Sequence, residues 1–458
     1  MPSLPNLKLS LPIPNLKLNL ARRSGAGVVG LDIQPGFVGA VQARVNGAIV
    51  AEHIAGLPLA SDTVREGEVV DGAALSGVLH ELFGSERLGK RVRVGVANQR
   101  TVMRTLELPP VTDRKELAAA VSFQAQDQIP MPLGNAVLDF HPLGIVDTPS
   151  GPRQRVVLVA AQRDMIEHLL AAVRGAGLQP VGVDLSAFAL IRSLYRAQPD
   201  SEQVGRVVYL NVDGLTNLAI AEGPVCRFTR VVGGGLEGMA GELAERLSIP
   251  LTDARAMLAA VDLTAPATGG QSPPPPPPPE AASQGTPSES SAPEGPAPEP
   301  PASEEAPLGE AVSWEPVASP EASILPEHHD ALEHAMSYSE MSSMPEGTES
   351  EASQEPSAAA GENAEEARGV LENGIREISG EVRNSLDFHR SQDGGGEVSH
   401  VVLSGSVLDL PGFAEGLESH LGLKVRAETV SAAGEHPGAV SMHRLAVAAG
   451  LATAEVPQ

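Results

Sequence analysis

Cysteine is almost absent from this chain, since Cys226 is the only one in 458 residues. A single thiol excludes an intrachain disulfide framework and a zinc site built from several cysteines, and it suits the reducing cytoplasm. Long apolar runs are also missing, because none approaches the ~18–20 residues that cross a bilayer. Residues 1–5 lack the charged and then apolar stretches that begin a signal peptide. We therefore expect a cytoplasmic protein that reaches a membrane only peripherally or through a partner.

Basic side chains are absent from one long segment. Residues 264–367 contain 20 acidic residues and 20 of the 40 prolines, but no Lys or Arg. They carry most of the formal charge of −26, and the rest of the chain has a net charge of only −6. Such a composition cannot bury enough apolar surface to offset chain entropy, so we expect residues 264–367 to be a disordered insert. The lack of a clustered basic surface argues against nucleic-acid binding.

The N-terminal residues 1–24 contain a repeat. The sequence Leu-Pro-Asn-Leu-Lys-Leu at 4–9 recurs as Ile-Pro-Asn-Leu-Lys-Leu at 13–18. Its alternation and its prolines favour an extended conformation over a helix. We interpret residues 1–24 as a flexible tail; the alternative is a short motif that adds a strand to a sheet edge.

The remaining sequence falls into two similar halves. Each half begins with strand-like runs joined by short turns and continues into amphipathic helices, which predicts an α/β molecule of two lobes with a cleft. We assign residues 25–200 to lobe I, and residues 201–263 with 368–458 to lobe II. Apolar residues at helical spacing predict a long buried helix after the insert. These residues are Leu371, Ile375, Ile378, Val382 and Leu386.

Two conspicuous patterns are poor candidates for a ligand site. Residues 233–238 have the spacing Gly-x-Gly-x-x-Gly, but they follow a β-meander and not a βαβ unit, which disfavours a dinucleotide fold. That turn can still present backbone N–H groups to an anion. His328, His329 and His334 cluster inside the predicted insert, where ligands have no fixed geometry, so a solvated cluster is favoured over a metal site.

Three turns remain as candidates for chemistry, and each directly follows an apolar strand. They are residues 32–36, 211–216 and 403–406. The first two carry an acid that could orient a Mg²⁺-bound water, and their small residues would let backbone N–H groups approach a phosphate. Spacing alone leaves ordinary strand-to-turn junctions as the simpler interpretation.

Several further stretches carry a family resemblance. The sequence resembles the PilM family of type IV pilus assembly proteins, which are actin-like and related to the division protein FtsA. The resemblance covers about 27–262 and 366–450. Its most specific stretches are residues 106–110 (Leu-Glu-Leu-Pro-Pro), 123–132, 181–190, 385–392 and 403–412.

The resemblance implies a bilobal actin-like ATPase fold with an inserted SHS2 subdomain at about 100–162. It also implies ATP and Mg²⁺ between the lobes, with Mg²⁺ on Asp32 and Asp213, and a PilN-like single-span membrane protein whose cytoplasmic N-terminus is the partner. Self-association stays open. By motif position the residues implied to bind the cofactor are Asp32, Gly36, Asn211, Asp213, Gly214, Thr216, Gly233, Gly234, Ser404, Gly405 and Ser406.

This sequence departs from the family pattern within those loops. Gln34 replaces a glycine of the first loop, Pro35 and Phe37 displace hydroxyl residues, and Gly39 stands where the family has a lysine. Asn211 stands at the acid position of the second loop. These departures predict a scaffold that binds nucleotide weakly or not at all and has at most weak ATPase activity. The alternatives are an active ATPase of the same machinery and an FtsA-like division protein.

Overall fold

The computed structural model describes residues 27–85, 88–196, 205–265, 356–391, 396–434 and 440–453. The N-terminal repeat, the histidine cluster and residues 266–355 of the predicted insert lie outside the described residues. Within the described part, no helix combines the length and the apolar character needed to cross a membrane.

Groups of strands are followed by helices along the described part of the chain. The strands are β1 (Val29–Gln34), β2 (Phe37–Asn46), β3 (Ala48–Pro58), β4 (Val64–Arg65), β5 (Glu68–Val69), β6 (Arg91–Val96), β7 (Val102–Leu108), β8 (Ala136–Thr148), β9 (Gly151–Gln162), β10 (Gln179–Leu185), β11 (Arg206–Val212), β12 (Thr216–Glu222), β13 (Val225–Val232), β14 (Val398–Ser404), β15 (Val425–Ala427) and β16 (Ser431–Ala432). The α-helices are α1 (Gly72–Ser85), α2 (Arg114–Gln128), α3 (Arg163–Gly175), α4 (Ser186–Leu194), α5 (Leu236–Leu247), α6 (Leu251–Ala259), α7 (Pro356–Ser391), α8 (Phe413–Leu421) and α9 (Ala446–Leu451).

The sheet of lobe I has the order β10-β6-β1-β2-β3-β16. Strands β1 and β2 form a tight antiparallel hairpin in which Gln34 pairs with Phe37, and β6 runs parallel to β1. Helices α1 and α3 bury apolar side chains against this sheet, among them Leu75, Leu79 and Ile166. The hairpin turn therefore lies at the end of a buried central strand.

The sheet of lobe II has the order β13-β12-β11-β14-β15 and repeats this arrangement. Strands β11 and β12 form a hairpin in which Val212 pairs with Thr216, and β14 runs parallel to β11. Helix α7 buries the predicted apolar stripe completely or nearly so, which confirms the long helix. At about 1.5–3 kcal/mol for each fully buried aliphatic side chain, that stripe is a main source of stability in this lobe.

The inserted subdomain is a three-stranded sheet of order β7-β9-β8 covered by α2. Asp113 caps α2 by accepting hydrogen bonds from the backbone N–H groups of Lys115 and Glu116. The cap satisfies donors that the first helical turn leaves free. The subdomain agrees with the SHS2 insertion expected at about 100–162.

Helices α4 and α9 pack against each other, and their residues belong to an apolar core that includes residues of both sheets. Every residue of both helices is buried. The contact is close because α9 is built from small residues: a Cβ on Gly450 would lie 1.9 Å from the carbonyl oxygen of Ala189. The two lobes therefore share one core.

The structure differs from the predicted division of the chain at two places. Helix α7 begins at Pro356, so residues 356–367, which we assigned to the insert, form its first turns, and Ala367 is completely buried. The chain after β15 also returns to the first sheet, where β16 pairs with β3. The C-terminal residues that we assigned to lobe II therefore pack on lobe I.

Candidate nucleotide cleft

The first two predicted turns are hairpin turns at equivalent positions in the two lobes. The first joins β1 to β2 through Pro35 and Gly36, and the second joins β11 to β12 through residues 213–215. Gly36 has a φ of +77°, a conformation that glycine adopts without strain.

These two turns are in direct contact. A Cβ on Gly214 would lie 2.3 Å from the carbonyl oxygen of Pro35, so the two backbones meet. A Cβ on Gly36 would lie 2.7 Å from Oε2 of Glu237, which accepts a hydrogen bond from Nε of Arg255 at 2.9 Å. The first turn is therefore packed against both the second turn and the first turn of α5.

The carboxylate of Asp213, which is 1% exposed, is held by two side chains. Nη2 of Arg444 donates to Oδ1 at 2.6 Å, and Nε lies 3.1 Å from each carboxylate oxygen. Oγ of Ser406 donates to Oδ1 at 2.7 Å. The Arg444 guanidinium also lies 3.8 Å from the ring centroid of Phe37, so this arginine contacts both hairpins.

Asp32 is buried near the end of β1 and is held by its own strand. Nε2 of Gln34 donates to Oδ2 of Asp32 at 2.6 Å, whereas Oε1 of Gln34 has no partner among the described residues. Burial is the main reason that the pKa of Asp32 is raised to about 7; the Gln34 hydrogen bond lowers it, Asp213 raises it and Arg444 lowers it. This carboxyl group is therefore partly protonated at neutral pH.

The second hairpin is bonded to the glycine-rich turn that contains Gly233 and Gly234. Oγ1 of Thr216 donates to the carbonyl oxygen of Gly234 at 3.0 Å. The N–H of Leu236, the first residue of α5, donates to the carbonyl oxygen of Asp213 at 2.8 Å. This N–H group at the N-terminus of α5 is therefore already hydrogen-bonded within the protein.

The third predicted turn, residues 404–406, packs against the end of β11. Asn211 is paired in register with Ser404, and a Cβ on Gly405 would lie 2.1 Å from the carbonyl oxygen of Val212. The N–H of Gly405 donates to the carbonyl oxygen of His443 at 3.0 Å. The structure thus brings all three predicted turns together, and Ser406 of the third turn is hydrogen-bonded to Asp213 of the second.

These residues do not fit a magnesium–phosphate group. Mg²⁺ needs free oxygen ligands in near-octahedral geometry, but both oxygens of Asp213 contact Arg444, and Asp32 is buried and bonded to Gln34. The contact of Pro35 with Gly214 leaves no room for a phosphate at that point. The structure therefore does not support the Mg²⁺ ligands expected at Asp32 and Asp213.

Sequence reasoning missed Arg444, the residue that links the two hairpins. It lies in a short 3-10 helix, Met442–Leu445, within a segment whose pattern indicates only a helix. One indirect signal was available. The family's lysine is replaced by Gly39, so the buried acids needed a cation from elsewhere in the chain.

The fold and this cleft can be compared with known proteins. A family model described as "Type IV pilus assembly protein PilM" matches residues 30–258, which is half of the chain. The chain belongs to the PilM family. Its place is therefore among the proteins that assemble type IV pili, and its fold is the bilobal actin-like fold with an inserted subdomain.

Several solved structures are similar to this chain. A chain of a PilM–PilN type IV pilus biogenesis complex is 20% identical, with a TM-score of 0.59 over 93% of this chain and 97% of that one. The ethanolamine utilization protein EutJ from Carboxydothermus hydrogenoformans is 14% identical, with a TM-score of 0.43 over 97% and 92% of the two chains. MreB 5 of Spiroplasma citri, solved with AMPPNP, is 10% identical, with a TM-score of 0.42 over 93% and 95%.

Proposed function

We propose that this chain is a cytoplasmic scaffold of the type IV pilus machine that docks the cytoplasmic N-terminus of a PilN-like single-span inner-membrane protein. The observation that carries the proposal is the fold that the chain shares with a PilM–PilN complex over 93% of its length. Docking of this kind would hold the scaffold at the inner face of the membrane.

The inserted subdomain is the surface that we assign to the partner. Phe123 on α2 is 74% exposed, more than any other large apolar side chain among the described residues. In a chain with only 3% aromatic residues, an aromatic ring left in water is typical of a contact surface. Strand β8 lies at the edge of the subdomain sheet, so an extended peptide could add to it as a further strand.

The docking proposal is tested with a labelled synthetic peptide that copies the cytoplasmic N-terminus of the PilN-like protein from the same genome. Fluorescence anisotropy should detect binding to the full chain, and Phe123→Ser should weaken it at least ~10-fold, or about 1.4 kcal/mol. Val45→Ser is the matched control, because Val45 is 52% exposed but lies on β2 of lobe I. Absence of binding to the wild type would contradict the proposal; equal weakening by both variants would contradict the assigned surface.

In this proposed function the cleft has a structural role, and no cycle of ATP binding and hydrolysis takes place in it. The observation that favours this role is the state of Asp213, whose carboxylate is already bonded to Arg444 and Ser406. We expect calorimetric titration with Mg-ATP to give an affinity no tighter than micromolar, about −8 kcal/mol, with negligible phosphate release. Turnover that Asp32→Ala abolishes would favour the active ATPase instead.

A further inference from the structure

The guanidinium of Arg444 lies where the two hairpins approach each other. Two of its nitrogen atoms, Nε and Nη2, donate to Asp213 of the second hairpin, and it stacks on Phe37 of the first. The Arg444 side chain is 25% exposed, whereas that of Asp213 is 1% exposed. The arginine is therefore the more exposed partner of this pair.

The backbone on both sides of Arg444 is fixed independently of Asp213. The carbonyl oxygen of His443 accepts the N–H of Gly405 at 3.0 Å, and Nδ1 of His443 lies 2.9 Å from Oδ1 of Asp409. Leu445, the following residue, is completely buried. The backbone of Arg444 is therefore held by its neighbours, and its planar guanidinium is rigid, so less entropy is lost for each hydrogen bond of the ion pair.

We propose that Arg444 is a resident cation of this cleft, which holds the two hairpins together in place of a metal–nucleotide group and excludes divalent cations from Asp32 and Asp213. The inference rests on the proposed function, a scaffold that works without nucleotide. It adds that Arg444 is the residue that takes the place of the nucleotide and its metal. A planar guanidinium suits the task because it can bond a carboxylate with two N–H groups and stack on an aromatic ring at the same time. A divalent cation beside it would place like charges in contact at a site that water screens poorly.

The first test removes the arginine. Arg444→Ala leaves both acids without the guanidinium, so calorimetric titration with Mn²⁺ alone should show an affinity at least tenfold higher than that of the wild type. Asp213→Asn in the same background should remove this gain. Arg255→Ala is the matched control, because Arg255 lies beside the same turn but pairs with Glu237, and no gain is expected there. A folded Arg444→Ala protein without higher Mn²⁺ affinity overturns the exclusion of cations.

The second test asks whether Arg444 and Asp213 stabilise the protein as a pair, and it applies even if Arg444→Ala does not fold. Arg444→Met and Asp213→Asn are compared with the double variant by thermal unfolding. Each single change leaves one charged group without its partner, so we expect the double variant to lose less in thermal midpoint than the two single losses added together. A double variant that folds when a single one does not would support the proposal most directly, and additive losses would overturn it. The partner peptide is titrated against the wild type separately, so a failure of docking cannot be mistaken for a failure of Arg444.

Discussion

Arg192 and Asp184 form an ion pair that the protein core encloses completely. Nη2 of Arg192 donates to Oδ2 of Asp184 at 2.6 Å, and the two side chains are 1% and 2% exposed. Nε of Arg192 also donates to the carbonyl oxygen of Gly450 at 3.0 Å, near the end of α9. The pair therefore links α9 to α4 and β10.

We expect Arg192→Ala to lower the free energy of unfolding by about 3–5 kcal/mol, because it leaves the buried Asp184 carboxylate without the cation that is hydrogen-bonded to it. The combination of Arg192→Met with Asp184→Asn should recover much of that loss, since neither remaining side chain is charged. Urea unfolding measures both. If the double variant were as unstable as Arg192→Ala, the unpaired charge would not be the cause.

Close packing of α9 gives a second prediction. Because a Cβ on Gly450 would lie 1.9 Å from a backbone oxygen of α4, Gly450→Ala should lower the free energy of unfolding by about 3 kcal/mol or more. Gly77→Ala is the control: this glycine lies inside α1 with nothing within 4 Å of an added Cβ, so a gain of about 0.5–1 kcal/mol is expected. Denaturant titration distinguishes the two. A stable Gly450→Ala protein would mean that α9 can move away from α4.

Sequence reasoning was most accurate where local signals were strong. The apolar stripe of α7 is buried as predicted, because apolar residues at helical spacing mark one face of a helix. The short strands β15 and β16 were missed, since two or three residues show no period. Arg444 was missed for a different reason. Its partner, Asp213, is 231 positions away, and nothing local encodes such a pair.

The start of α7 shows a further limit. Residues 356–367 are rich in Ala and Glu, a composition that suits both a disordered segment and a helix. The burial of Ala367 in the core of lobe II stabilises the helix at this end. Tertiary contacts of this kind are invisible to composition.

The raised pKa of Asp32 predicts how the free energy of unfolding depends on pH. Its pKa in the folded protein, about 7, is well above the ~3.9 of an unfolded chain, so the folded state holds this proton more tightly. The resulting stabilisation is complete below about pH 4 and is lost as the pH rises through about 7. Compared with Asp32→Asn, the wild type should lose on the order of 4 kcal/mol over that range, at ~1.36 kcal/mol per pKa unit. Urea unfolding at several pH values checks this; a constant difference between the two proteins would contradict the raised pKa.

The two ends of the predicted insert meet at one arginine. Nη1 of Arg368 donates to the carbonyl oxygen of Asp262, and Nη2 donates to that of Leu263, both at 3.1 Å. Asp262 also accepts the N–H of Thr264 at 2.9 Å. A deletion that preserves these contacts must therefore leave both Thr264 and the first turns of α7 in place.

We expect that replacing residues 266–355 with a flexible Gly/Ser linker will change the thermal midpoint by only a few degrees. The linker must reach back along α7, because Arg368 lies 12 helical steps after Pro356, a rise of about 18 Å at ~1.5 Å per residue. Given that reach, closure entropy changes by only ~0.6 kcal/mol for each doubling of loop length. The control deletes residues 264–367, which also removes the buried Ala367, and its midpoint should fall clearly below that of the first variant. Calorimetry compares the two: equal midpoints would mean that the first turns of α7 add no stability, and a large fall in the first variant would mean that residues 266–355 pack on the folded lobes.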